Sequence, residues 1–140
     1  MVEQSPPTVK DVIAVAEFRS ALRHFLRRSE KVARQSGLTP QRYTLLMMIK
    51  GAPDGAEQST VTELSERLQL AQSTVTELVR RAETAGLIER EQSQRDARVA
   101  HLRLTSEGER RLMLSFTALE TERAQLREAF ANLDGGVAGH

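Results

Sequence analysis

Apolar positions follow three rhythms along this chain, and each predicts a different element. Val9, Val12, Ile13, Ala16, Leu22, Phe25, Leu26 and Val32 recur at three-and-four spacing, which predicts a helix over 8–36 with one buried stripe. Thr8 can cap its start and Gly37 is a natural stop. Thr39-Pro40 restarts the chain as cap and first helical residue. Tyr43, Leu45, Leu46, Met48 and Ile49 then make a nearly all-apolar second helix, ended by the loop Gly51-Ala52-Pro53-Asp54-Gly55. Ser59-Thr60-Val61 reads as a short strand. Thr62 is the expected cap of a third helix that buries Leu64, Leu68 and Leu70. After a turn at Leu70-Ala71-Gln72, a fourth helix runs from about Ser73 to Ala85 with Val75, Leu78, Val79 and Ala82 inward.

The rhythm changes after Gly86. Leu87-Ile88 opens a strand, and Val99, His101 and Arg103 alternate with Ala100, Leu102 and Leu104 on its return, with a turn around Gln92-Ser93-Gln94-Arg95-Asp96. Thr105 or Ser106 then caps a last helix, with Ser106 and Glu109 at capping-box spacing. Along it Leu112, Phe116, Leu119, Arg123, Leu126, Phe130 and Leu133 step by four and three, the seam of a coiled coil with one polar interruption. The expected organisation is a flexible 1–7, a long N-terminal helix over 8–36, a winged helix-turn-helix over 37–105, a C-terminal helix over 106–133 and a flexible, glycine-rich tail over 134–140. The fold class is mainly α, a winged helix-turn-helix with a small β-hairpin wing and long terminal helices.

Composition narrows the chemistry. The 140 residues carry a net charge of +1, so the chain is not a polybasic coat for nucleic acid. Aromatics are 4% and Trp is absent, which argues against a stacking platform for single strands. The absence of cysteine removes disulfides and thiolate metal sites and fits a reducing, cytoplasmic setting. No apolar run approaches the roughly 18 residues of a membrane span, and the start lacks a secretory pattern. His24, His101 and His140 have no metal-ligand spacing. Neither a nucleophile triad nor a phosphate loop is evident, so neither catalysis nor a cofactor is expected.

The helix-turn-helix and hairpin suit duplex DNA. The second helix of the pair can enter a major groove while the hairpin reaches the adjacent minor groove. Gln72, Ser73, Thr74 and Thr76 are short polar groups able to bond base edges or phosphates, and Glu77 can accept from a cytosine amino group. Arg80, Arg81 and Arg95 suit phosphates. A narrow minor groove concentrates negative potential and attracts an inserted arginine, here Arg98, with Asp96 two residues before it as its brace. Yet seven positive and seven negative side chains between 61 and 104 leave that segment neutral, so charge alone does not announce DNA. A winged helix that docks proteins without touching DNA is the alternative. On the first helix, Arg19, Arg23, Arg27, Lys31 and Arg34 form a basic stripe, either solvated and paired with acids of the last helix or a site for anions.

Several of these segments, in this order, resemble the MarR family of transcription regulators. They are Gly37-Leu38-Thr39-Pro40-Gln41, Val61-Thr62-Glu63-Leu64, Ser73-Thr74-Val75-Thr76, Gly86-Leu87-Ile88-Glu89-Arg90, the pair Asp96 and Arg98, and Leu104-Thr105 with Gly108. The resemblance implies a homodimer on a pseudo-palindromic operator, often a repressor, often released by a small anionic or aromatic effector. It carries recognition roles onto Ser73, Thr74 and Thr76 and the wing pair onto Asp96 and Arg98. His24, Tyr43, Met47 and Met48 are candidates for lining an effector pocket. Two departures stand out: Glu77 occupies a position that is commonly basic, and one long C-terminal helix is expected where family members often carry two. Dimerisation is expected through the first helix and the seam of Leu112, Phe116, Leu119, Leu126, Phe130 and Leu133.

Overall fold

The computed structural model describes residues 5–138, with side chains over 5–133. Expectations for residues 1–4 and 139–140, and for the side chains of 134–138, lie outside the described residues. The elements are α1 (Val9–Gln35), α2 (Pro40–Lys50), α3 (Val61–Leu68), α4 (Gln72–Thr84), β1 (Ile88–Gln92), β2 (Ala100–Leu104), α5 (Ser106–Ala118) and α6 (Glu120–Ala138). The chain divides into two units, one of residues up to 32 and from 117 on, the other of residues 33–116.

In the second unit α2 is the hub, packed against α3, α4 and β2. Leu45, Leu46 and Ile49 of α2 are fully buried, as are Leu64, Val75, Val79, Ala82, Leu87 and Leu102 around them. Thr39 caps α2 by accepting from the Arg42 N–H at 3.1 Å. At the other end the Arg67 guanidinium donates to the Met48 and Gly51 carbonyls at 2.7 and 3.3 Å, satisfying groups that the helix itself leaves open. Lys50, also at the end of α2, is ion-paired with Glu57 and Glu109, and those two carboxylates hold its pKa above the usual lysine value. β1 and β2 pair antiparallel from Ile88↔Leu104 to Gln92↔Ala100. Ser59 adds an isolated bridge to Leu102, so the expected strand at 59–61 is reduced to one paired residue.

Turn geometry selects the caps of α3 and α5 from runs of neighbouring hydroxyl residues. Thr60, not Thr62, opens α3, in a full capping box with Glu63. Thr105, not Ser106, opens α5: its hydroxyl accepts from the Gly108 N–H at 3.1 Å and donates to the Gly86 carbonyl at 2.6 Å. Glu109 therefore serves Lys50 rather than a capping box with Ser106. Gly108 lies against the Leu87 backbone, whose carbonyl also accepts from Thr105 N–H at 3.0 Å, and a Cβ there would overlap that oxygen. Gly108→Ala is expected to cost about 1–3 kcal/mol of stability by overpacking, read as a lower denaturant midpoint. An unmoved midpoint would show that the backbone yields there.

The first unit contains most of α1 and α6. Thr8 and Asp11 cap α1 reciprocally, Thr8 N–H donating to the Asp11 carboxylate at 2.8 Å. Phe18 and Phe130 meet edge to face with ring centres 5.9 Å apart. The Arg28 guanidinium donates to Glu122 at 3.3 Å, so this ion pair between the helices uses a residue outside the predicted basic stripe, whose five members are exposed. The apolar stripe predicted as buried is mostly uncovered: Val9, Val12, Ile13 and Leu26 are exposed, Leu22 and Phe25 are half-buried, and Val32 is buried.

The expected single helix over 106–133 is two helices that meet at Leu119. The first hydrogen bond of α6 starts there, Arg123 N–H donating to the Leu119 carbonyl at 2.8 Å. Glu120 and Glu122 fall in the first turn of α6, where the helix dipole favours acids. The break splits the predicted seam. Leu112 and Leu119 are buried in the protomer, Leu126 and Leu133 are half-buried, and Phe116 and Phe130 are exposed. The helix also continues to Ala138 through the glycine pair expected to begin a loose tail.

Candidate nucleic-acid interface

The site is built from α3, α4 and the hairpin, all in the second unit. α3 ends at Gln69, which takes a left-handed conformation (φ 57°) and lets the chain turn sharply into α4. The Gln72 amide at the start of α4 reaches back to the Thr62 hydroxyl at 3.4 Å. Val75, Val79 and Ala82 anchor α4 in the core. That leaves Gln72, Ser73, Thr74 and Thr76 exposed together on its first turns. The N-cap, Ala71, offers no side-chain acceptor to the first amides.

Further along α4, one carboxylate organises two arginines. Glu77 accepts from Arg80 Nε and Nη2 at 2.9 and 2.6 Å and from Arg81 Nε at 3.1 Å. These guanidinium groups hold the Glu77 carboxyl down at about 2, far below the usual carboxylate range. Glu83, further along the helix, takes Arg90 of β1 in a fork at 2.9–3.0 Å and so ties the hairpin to α4. Charge periodicity could not reveal this pair: its members are seven residues apart, across the turn at Gly86, and meet only because the hairpin folds back.

The hairpin loop is braced internally. The Ser93 hydroxyl accepts from the Arg95 and Asp96 N–H groups at 3.2 and 3.4 Å, and Val99 N–H donates to the Asp96 carbonyl at 3.0 Å. The Asp96 carboxylate accepts from Arg98 N–H at 3.0 Å, from Nε at 3.1 Å and from Nη2 at 3.3 Å. This fork lowers the Asp96 pKa and directs a guanidinium side chain that is otherwise 90% exposed. Arg95 is exposed beside it.

Among the effector candidates, Tyr43 is buried and Met47 and Met48 are half-buried on α2, whereas His24 is exposed on α1 in the other unit. Among the described residues, no cluster of histidines and acids could hold a metal ion, and no helix is long and apolar enough to cross a membrane.

A model of the MarR family matches residues 36–99, the stretch that supplies α2, α3, α4 and the hairpin loop. No curated protein sequence matches the chain. Among solved structures it is similar to a MarR family transcription regulator at 23% identity and a TM-score of 0.70, covering 91% of this chain and 82% of that one. A mutant MarR from E. coli complexed with operator DNA matches at 17% identity and a TM-score of 0.68, over 86% and 88% of the two chains. A mutant of MepR from S. aureus bound to an oligodeoxyribonucleotide matches at 20% identity and a TM-score of 0.65, over 87% and 94%. At these identities the structural likeness speaks for the fold.

Proposed function

We propose that this chain is a MarR family regulator, a reading supported by the match of residues 36–99 to that family's model, and that it regulates transcription by binding a pseudo-palindromic duplex as a homodimer. The observation that carries the reading is the common exposure, in one unit, of the α4 polar face and a hairpin arginine already held in a fork. Gln72, Ser73, Thr74 and Thr76 address base edges in the major groove. Glu77 accepts from a cytosine amino group, and Arg80, Arg81 and Arg95 take phosphates. Arg98 enters the minor groove, with Asp96 holding its rotamer. The fold likeness to a MepR mutant bound to an oligodeoxyribonucleotide and to a MarR mutant complexed with operator DNA supports duplex binding as such.

The dimer is formed through α1 and the C-terminal helices. Exposed Val9, Val12, Ile13, Leu26 and Phe130 support this, because a helical protein leaves so many large apolar side chains in water mainly where a partner covers them. Seated over a promoter, such a dimer would obstruct polymerase and so repress. A small anionic or aromatic effector that prefers another spacing of the two reading heads would release DNA by population shift.

Selection of bound duplexes from a random pool tests the function. The expected product is an inverted repeat with half-site centres roughly 34–36 Å apart, one helical turn. Binding should also weaken steeply with salt. No enrichment and no duplex affinity at low salt would reject the reading in favour of protein docking.

A further inference from the structure

We propose that Glu77 determines selectivity by competing with the DNA backbone for Arg80 and Arg81, so that unselected sequences are bound without the full use of either arginine. The inference rests on the DNA-binding reading and deepens it. Between Gln72 and Arg81 the chain has one acidic residue, Glu77, and both of its oxygens are used. Oε2 accepts from Arg80 Nε, and Oε1 accepts from Arg80 Nη2 and Arg81 Nε. A carboxylate that takes a guanidinium through two parallel N–H groups presents the geometry a phosphate would present. In the free protein the arginines of α4 are therefore already occupied by an internal stand-in.

The clamp is exposed: the side chains of Glu77, Arg80 and Arg81 are 42%, 63% and 60% accessible. Water screens such a pair, so exchange for phosphate is open to it. The cost falls on what remains. Once the arginines turn to the backbone, a bare carboxylate is left close to the polyanion. A cytosine amino group at the facing base pair relieves that carboxylate by donating to it. Where the facing edge offers no donor, Glu77 keeps its arginines and the phosphates lose them. One residue thus makes two backbone contacts conditional on a base.

Glu77→Gln keeps the length and the hydrogen-bonding edge but removes the charge. Binding would be followed by fluorescence anisotropy across a salt series, with a mixed-sequence duplex and a duplex selected from a random pool by the wild-type protein. On the mixed-sequence duplex Glu77→Gln is expected to bind roughly tenfold tighter. Its log–log salt slope should be steeper by about 1–2 per protomer, because each freed arginine neutralises a phosphate and releases its counterion. The selected duplex should gain less, so discrimination falls. A second variant that combines Glu77→Gln with Arg80→Gln and Arg81→Gln should lose the gain and return the slope to the wild-type value. An unchanged affinity and slope for Glu77→Gln would overturn the proposal while wild-type binding still supported the DNA reading. A gain that survives loss of both arginines would overturn it too, since simple removal of a negative charge would then suffice. Failure of the wild-type protein to bind any duplex at low salt would remove both.

Discussion

Arg98→Ala is expected to lose most of the affinity for a selected duplex while the protein stays folded. The side chain is 90% exposed and its guanidinium is held by Asp96, so its removal leaves no buried hole and no orphaned core group. The loss arises on DNA. An arginine placed in a groove is worth about 1–3 kcal/mol, and a symmetric dimer loses it twice. Taking ~2 kcal/mol per copy gives ~4 kcal/mol, roughly a thousandfold in Kd. Asp96→Asn should lose less, because the guanidinium remains but must be ordered on binding, at a cost of up to about 2 kcal/mol per side chain. The depressed Asp96 pKa sets the sign of any pH effect. The brace is fully present above the ordinary carboxylate value and is lost only as pH falls through the lower folded value, so affinity should not vary with pH across the neutral range through Asp96. Anisotropy titration with circular dichroism as the folding control checks both variants. Unchanged duplex affinity for Arg98→Ala would remove the hairpin from the interface.

Val12→Glu is expected to convert a dimer to monomers and to abolish tight operator binding with it. Val12 is 64% exposed in the protomer, so a carboxylate there costs the isolated chain little. In a dimer sealed through α1 the same carboxylate is buried in each copy without a partner, at about 3–5 kcal/mol each. That loss exceeds what most interfaces can absorb. Leu119→Glu is a poor probe of the same contact, since Leu119 is fully buried and the charge would unfold the protomer. Sedimentation of Val12→Glu at the wild-type rate would place the dimer elsewhere.

Much of the fold was legible because its signals are local. Thr39-Pro40 opens α2, Gly37 and Gly86 take left-handed turns (φ 78° and 76°), and the alternation at 99–104 is a strand, each decided by residues within a few positions of one another. The spacing of Asp96 and Arg98 is equally local, so the fork could be anticipated from the chain alone. The cap expected at Thr62 and found at Thr60, and the choice of Thr105 over Ser106, have a local cause as well: neighbouring threonines and serines can all cap, and the turn geometry selects among them.

The sequence by itself determined the order of the helices, the hairpin and the polar face of α4, because backbone hydrogen bonding and three-four or two-residue periodicity act over short range. Only the tertiary structure decided which apolar stripes are filled. The stripe on α1 and the 112–133 seam carry the same spacing as buried core helices, yet Leu112 and Leu119 are interior while Val12 and Phe130 face outward. It also decided the long-range partners: Arg67 on the end of α2, Lys50 with Glu109, and Glu83 with Arg90. Periodicity tells which side of a helix is oily; what covers that side depends on segments brought together only when the chain has closed on itself.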